Sequence, residues 1–251
     1  MSDYWEIAKR SLRHIRHDPE RLANVTMTPV LLVLLMRFLF GGAIKTGTTH
    51  GSYIDFVMPG IFIAAAAFAA VTTTISVAAD MHEGVIDRFR TLPMAKSAVV
   101  TGHVIADLAR SLIGLAVTVA VGYASGFRPS AGLRGWTVCV AVILLVAFVL
   151  SRLAALAGLL GSSVEAAQQL GAVVVIPVFL SSALVPAATM PPWLRVITAN
   201  QPVTQAIGTL RALLAGQPPG SHLWLAFAEF AGIITIAFTL AAALFGRAAS
   251  T

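Results

Sequence analysis

Asp80-Met-His-Glu-Gly-Val-Ile-Asp-Arg-Phe-Arg-Thr-Leu-Pro93 is a charged island between two long apolar runs, Ile54–Ala79 before it and Val99–Ala124 after it. A helix crosses the hydrocarbon of a bilayer with about 20 predominantly apolar residues, and both runs reach that length. A charged, helix-compatible segment between two such runs is confined to one membrane face. There it serves as a handle for something outside the lipid, and what grips it bears on function.

Outward from the island the membrane signal continues. Of the 251 residues, 57% are hydrophobic and only 11% charged, against roughly 25% charged in soluble domains. That balance places the chain among integral membrane proteins. Six segments are long enough to span: about Asn24–Ile44, Ile54–Ala79, Val99–Ala124, Gly135–Leu159, Gln169–Ala187 and Leu223–Phe245. Pro29, Pro59 and Pro177 lie inside them, which spans tolerate when neighbouring helices re-satisfy the freed backbone groups. Strand-like alternation does not rival this pattern, so an all-α membrane domain over residues 1–251 is expected rather than a β-barrel.

The net charge of +6 does not mark a nucleic-acid binder, because the cations are scattered between apolar runs instead of clustered on one polar face. They report topology. Lys9, Arg10, Arg13, Arg16, Arg21, Arg88, Arg90, Lys96 and Arg247 fall on one side, nine in all; Lys45, Arg128, Arg134, Arg195 and Arg211, five, fall on the other. The positive-inside rule then predicts both termini and the island to be cytoplasmic, with membrane lipid as the surrounding partner. The excess of arginine over lysine, with abundant alanine, points to a GC-rich bacterium, and the expected location is its inner (plasma) membrane. Cys139 is single and apolar in context, so no disulfide framework is expected. The polar first residues lack the apolar core of a cleavable signal peptide.

Two further elements are predicted. Trp5, Ala8, Leu12 and Ile15 recur at helical spacing with cations largely opposite, which describes an amphipathic interface helix within residues 1–22. Residues 188–221 contain Met190-Pro-Pro-Trp-Leu-Arg195 and the helical pattern Val203–Leu214. Both are too short to span and read as re-entrant or interfacial helices at the extracytoplasmic side. Trp193, Asn200 and Pro202 are candidate gate residues there.

Ionisable groups inside spans are costly and few. Asp107 and Arg110 are three apart, on one face of the third span, with His103 one turn earlier. Arg152 and Glu165 bracket the turn after the fourth span, and Glu229 sits about two turns inside the sixth. No convergent acids or metal-ligand set accompany them, so structural or ion-handling roles are expected and no metal or catalytic residue. Small residues four apart (Ala154, Gly158 and Ser162; Gly114, Thr118 and Gly122) mark close helix approaches. Neither Lys45-Thr46 nor Lys96-Ser97 follows a glycine as a phosphate loop requires, so nucleotide chemistry is assigned to another polypeptide.

In this order and topology the residues resemble the ABC-2 type permease subunits, in the branch of daunorubicin/doxorubicin-resistance exporters. The resemblance rests on the N-terminal amphipathic helix, on Pro29 with Phe40-Gly-Gly-Ala-Ile44, on Glu83-Gly84, Asp87-Arg88 and Leu92-Pro93, and on Met190-Pro, Trp193-Leu-Arg, Asn200-Gln-Pro-Val-Thr204 and Leu210-Arg211. It implies that residues 80–94 form a coupling helix docking on a cytoplasmic ABC ATPase, with Glu83, Gly84, Asp87, Arg88, Arg90 and Pro93 as contacts. It also implies two ATPase copies holding ATP and Mg, no cofactor on this chain, and a second permease copy or a sister permease. Glu83 departs from a pattern often richer in acids. The competing reading is an ion-coupled secondary carrier using Glu229 and Asp107. The internal repeat that many such carriers show is not evident here. An intramembrane lipid-modifying enzyme has little motif support.

Overall fold

The computed structural model describes residues 19–41, 52–82 and 97–248, with side chains placed over 26–41, 52–79, 111–235 and at Leu108. Among these residues every regular element is helical: α1 (Pro19–Leu35) with a π-helical turn at Met36–Phe40, α2 (Tyr53–His82), α3 (Ser97–Ala124), α4 (Leu133–Leu160), α5 (Val164–Val173), α6 (Ile176–Phe179), a 3-10 turn (Ala187–Thr189), α7 (Pro192–Ala199), α8 (Pro202–Leu214) and α9 (Ser221–Ala248). Helices α2 and α4 are long and apolar enough to cross a membrane. Shorter apolar helical stretches lie at Thr26–Phe40, Ser111–Ala124, Val164–Phe179 and Ser221–Thr235. Each of the six falls on one of the expected spans.

Helix α2 is the central element, packing against α1, α3, α4, α5 and α8. Its first turn is fixed by Asp55, whose Oδ2 accepts the Ser52 backbone N–H at 3.2 Å in the manner of a capping box. Val57, Met58, Ile61 and Phe62 are then fully buried. Lipid tails are as apolar as leucine, so close contact rather than water exclusion must hold such helices together. Small residues supply it. A Cβ on Gly158 of α4 would meet the Thr74 carbonyl oxygen at 2.7 Å, and one on Gly171 of α5 would meet Thr74 Oγ1 at 2.8 Å. A Cβ on Gly122 of α3 would meet the Met58 side chain of α2, and Thr118, one turn earlier, is fully buried with its hydroxyl bonded to Gly114 O of its own helix at 2.6 Å. Two of the small-residue stripes expected from sequence therefore lie in contacts, whereas Ser162 is exposed in the turn beyond α4.

The first span is described from Pro19 onward, and its α-helical bonding gives way to the π turn before Gly41. Two expectations for the later spans are corrected. The fifth is not one helix over Gln169–Ala187. It begins at Val164, where the Ser163 side chain caps Ala166 N at 3.1 Å. It breaks at Val174–Val175 and ends at Phe179. Pro177, lacking an N–H, sits in the first turn of α6, where that loss is harmless. Arg152 does not bracket the turn after α4; it lies two turns inside that helix, its guanidinium 4.9 Å from the Phe148 ring centroid.

The connection between α3 and α4 turns at Gly126, whose φ of 97° favours glycine. It is pinned twice: Asp55 Oδ1 accepts the Arg128 N–H at 3.0 Å, and Ser130 N donates to Leu214 O at 2.8 Å. The second bond ties this connection to the end of α8.

Candidate functional site

The segment between α6 and α9 is held by side chains bonding backbone carbonyls. Irregular backbone near a bilayer needs such partners. Fully buried Thr198 donates to Leu180 O at 2.8 Å, and Tyr53 OH donates to Leu184 O at 3.1 Å. Arg195 donates to Ala187 O at 3.2 Å and Ala188 O at 2.7 Å, closing the 3-10 turn against α7. Gln205 Nε2 donates to Ala199 O at 2.9 Å, while its Oε1 lies 2.6 Å from Nδ1 of His222 at the start of α9. With the amide oxygen accepting, the proton of that bond sits on Nδ1.

Arg211 is the centre of this assembly. From α8 its Nε donates to Phe56 O at 3.0 Å, Nη1 to Ser182 Oγ at 3.2 Å, and Nη2 to the carbonyls of Ser182 and Ala183. The guanidinium carbon lies 3.6 Å from the Phe56 ring centroid, a cation–π contact. Burial pulls its pKa down to about 10, which leaves the group charged at neutral pH. A planar fork of five donors suits this set of acceptors, and a lysine cannot reproduce it. Opening it would leave a half-buried cation and the carbonyls of buried Ser182 and Ala183 without these partners.

The residues expected from sequence are distributed as follows. Trp193, on α7, is 68% exposed. Asn200 Nδ2 bonds Val196 O at 2.8 Å and closes the end of α7. Pro202 opens α8. These three punctuate the two short helices, which run over Pro192–Ala199 and Pro202–Leu214. Glu229 is on α9, with Oε2 buried and without a hydrogen-bond partner among the described residues. Asp107 and Arg110 lie on α3, their side chains outside the described residues. Glu83, Gly84, Asp87, Arg88, Arg90 and Pro93 lie outside the described residues, as does the amphipathic segment before Pro19; Asp80–His82 are the last residues of α2.

Sequence reasoning missed Arg211 as a packing centre because it was counted as a loop cation. A signal was present: Ile207 and Leu214, one turn to either side, are buried, so the charge interrupts an apolar helical face.

A shallow apolar groove of about 350 Å³ opens where the broken helix crosses α2. Phe68 and Val71 form one wall, and Gln168, Ala172, Val175, Ile176 and Phe179 the other. Gln168 and Gln169 are exposed beside it. Exposed amides between apolar helices suit a surface that faces protein or a polar group better than lipid, where an amide lacks partners.

Residues 2–215 match the family model described as ABC-2 type transporter. Over 228 residues the chain is 31% identical to a daunorubicin resistance ABC transporter permease protein of Streptomyces coeruleorubidus, covering 90% of this chain and 80% of that one. Probable doxorubicin resistance ABC transporter permease proteins from two strains of Mycobacterium tuberculosis are 23% identical over 209 residues, covering 83% of this chain and 75% of theirs.

Proposed function

The chain belongs to the ABC-2 type transporter family, and on that premise we propose that it is the membrane-spanning permease subunit of an ATP-driven exporter of hydrophobic or amphipathic molecules. It is membrane-integral, and its task is transport rather than catalysis. The observation that carries the cargo class is the 31% identity with a daunorubicin resistance permease over 90% of the chain. The groove between α2 and α5–α6, apolar with one amide on its rim, supports the same reading: aromatic and aliphatic walls fit a drug- or lipid-like body, and Gln168 can bond its polar end.

In this reading six segments cross the inner membrane: α1 with its π turn, α2, α3, α4, the broken α5–α6, and α9. Both termini are cytoplasmic. Helices α7 and α8 re-enter at the extracytoplasmic side, where Trp193, Asn200 and Pro202 border the exit. Residues 80–94 are the coupling segment. Glu83, Gly84, Asp87, Arg88, Arg90 and Pro93 meet one of two cytoplasmic ABC ATPase subunits, which hold ATP and Mg. A second permease copy or a sister permease completes the pathway. ATP binding closes the ATPases and biases the permease pair between two packings, and only such a differential bias moves cargo.

The test is co-purification with a soluble ABC ATPase followed by reconstitution. Liposomes holding the complex should move daunorubicin or a similar amphipathic dye only when ATP is supplied. Transport that persists without ATP and collapses with a protonophore would replace this reading with the ion-coupled carrier.

A further inference from the structure

Helix α2 runs without interruption from Tyr53 to His82, three residues into the charged island that begins at Asp80. At 1.5 Å per residue it reaches across a bilayer. Its far end is gripped by α8 through Arg211, which holds the Phe56 carbonyl and covers the Phe56 ring. The same guanidinium holds Ser182 and Ala183. Gly60, one turn further along α2, lies against the Ala183 backbone. Thr204, on α8, receives the Ser182 N–H at 3.4 Å. Three segments distant in sequence therefore meet at one cation, and releasing it would leave that cation and several carbonyls unpaired in a buried place.

We propose that Arg211 is a positioning residue for transport: it makes the outer end of α2, the turn at Ser182–Ala183 and α8 a single rigid unit, so that a displacement of α2 imposed at its cytoplasmic end is delivered to the exit. The clamp stays closed throughout the cycle, and the outer helices travel with α2 instead of opening away from it. The inference rests on the exporter reading.

Spin labels at Ser52 and Ala215, both exposed, introduced as cysteines in a Cys139→Ser background, report on this unit in the permease–ATPase complex. The distance between them should be the same without nucleotide and with ATP trapped. In Arg211→Gln it should broaden. Export by Arg211→Gln should fall at least tenfold, with ATPase association retained and basal ATP hydrolysis within about twofold of wild type. Arg211→Lys, which keeps the charge but not the fork, should recover only part of the export.

A wild-type distance that changes on ATP trapping overturns the proposal, and so does undiminished export by Arg211→Gln. If Arg211→Gln does not assemble, the wild-type distance still decides, and Ser182→Ala, which removes one acceptor, should show a smaller export loss in the same direction. A wild-type complex that neither binds an ATPase nor uses ATP refutes the exporter reading instead, an outcome distinct from those above.

Discussion

Gly60 on α2 lies directly against the backbone of Ala183: a Cβ built on it would stand 2.5 Å from the Ala183 carbonyl oxygen and 2.7 Å from its Cα. Backbone atoms cannot swing aside as a flexible side chain can, so the contact requires glycine. Gly60→Ala should destabilise the fold by about 1–3 kcal/mol, the usual range for forced overpacking. Gly232 on α9 is the control, because nothing among the described residues lies within 4 Å of a Cβ there. Gly232→Ala should be neutral or slightly stabilising, since glycine in a helix interior costs roughly 0.5–1 kcal/mol relative to alanine. Thermal unfolding of the purified permease in detergent compares the two. Equal shifts would refute the close contact.

Gly158 is legible in the sequence as a packing glycine, and Gly60 is not. Gly158 belongs to a stripe of small residues at helical spacing, a pattern that periodicity exposes. Gly60 meets an irregular segment 123 residues later, and no local pattern reports such a meeting. The same holds for Arg211, whose bond to Phe56 O joins positions separated by 155 residues. Helix α2 was legible as an element, its start within one residue and its described part running three residues past Ala79, because a continuous apolar run has few alternatives. The break at Val174–Val175 was not, because hydropathy stays high across it and records nothing about backbone bonding. Pro177 was the available signal; it was read as a tolerated proline inside a span, whereas it opens a new helical turn.

Asp55 links two structural tasks, capping α2 through Ser52 and fixing the α3–α4 connection through Arg128 N. Asp55→Ala removes both acceptors, and the loss of a cap alone costs about 0.5–2 kcal/mol. Asp55→Asn retains one acceptor and should fall between wild type and the alanine variant. Unfolding midpoints for the three proteins should keep that order. An asparagine variant as unstable as alanine would show that the charge, rather than the two bonds, matters.

Asp87 and Arg88 present both signs at the segment proposed to meet the ATPase. Reversing both, with Asp87→Arg and Arg88→Asp, should weaken ATPase association and reduce ATP-driven export at least tenfold while leaving the permease folded. Like charges brought together at an interface cost several kcal/mol, enough to account for that loss. Co-purification yield and liposome transport measure the two effects separately. If both reversals leave both readouts unchanged, the partner grips some other surface.

Glu229 separates the exporter from the ion-coupled carrier. Its Oε2, on α9, is buried without a hydrogen-bond partner among the described residues, an arrangement a carrier would use to bind and release a cation or proton. In an ATP-driven exporter the energy enters elsewhere, so a neutral side chain of the same size should serve. Glu229→Gln is therefore expected to export at no less than about half the wild-type rate, with unchanged ATP dependence and no sensitivity to a protonophore. A proton-coupled site would behave oppositely, because glutamine cannot carry a titrating proton: uphill transport would vanish while exchange across the membrane could continue. Measuring net efflux and exchange on the same liposomes distinguishes the cases, and loss of net efflux with exchange intact would put Glu229 at the centre of the mechanism.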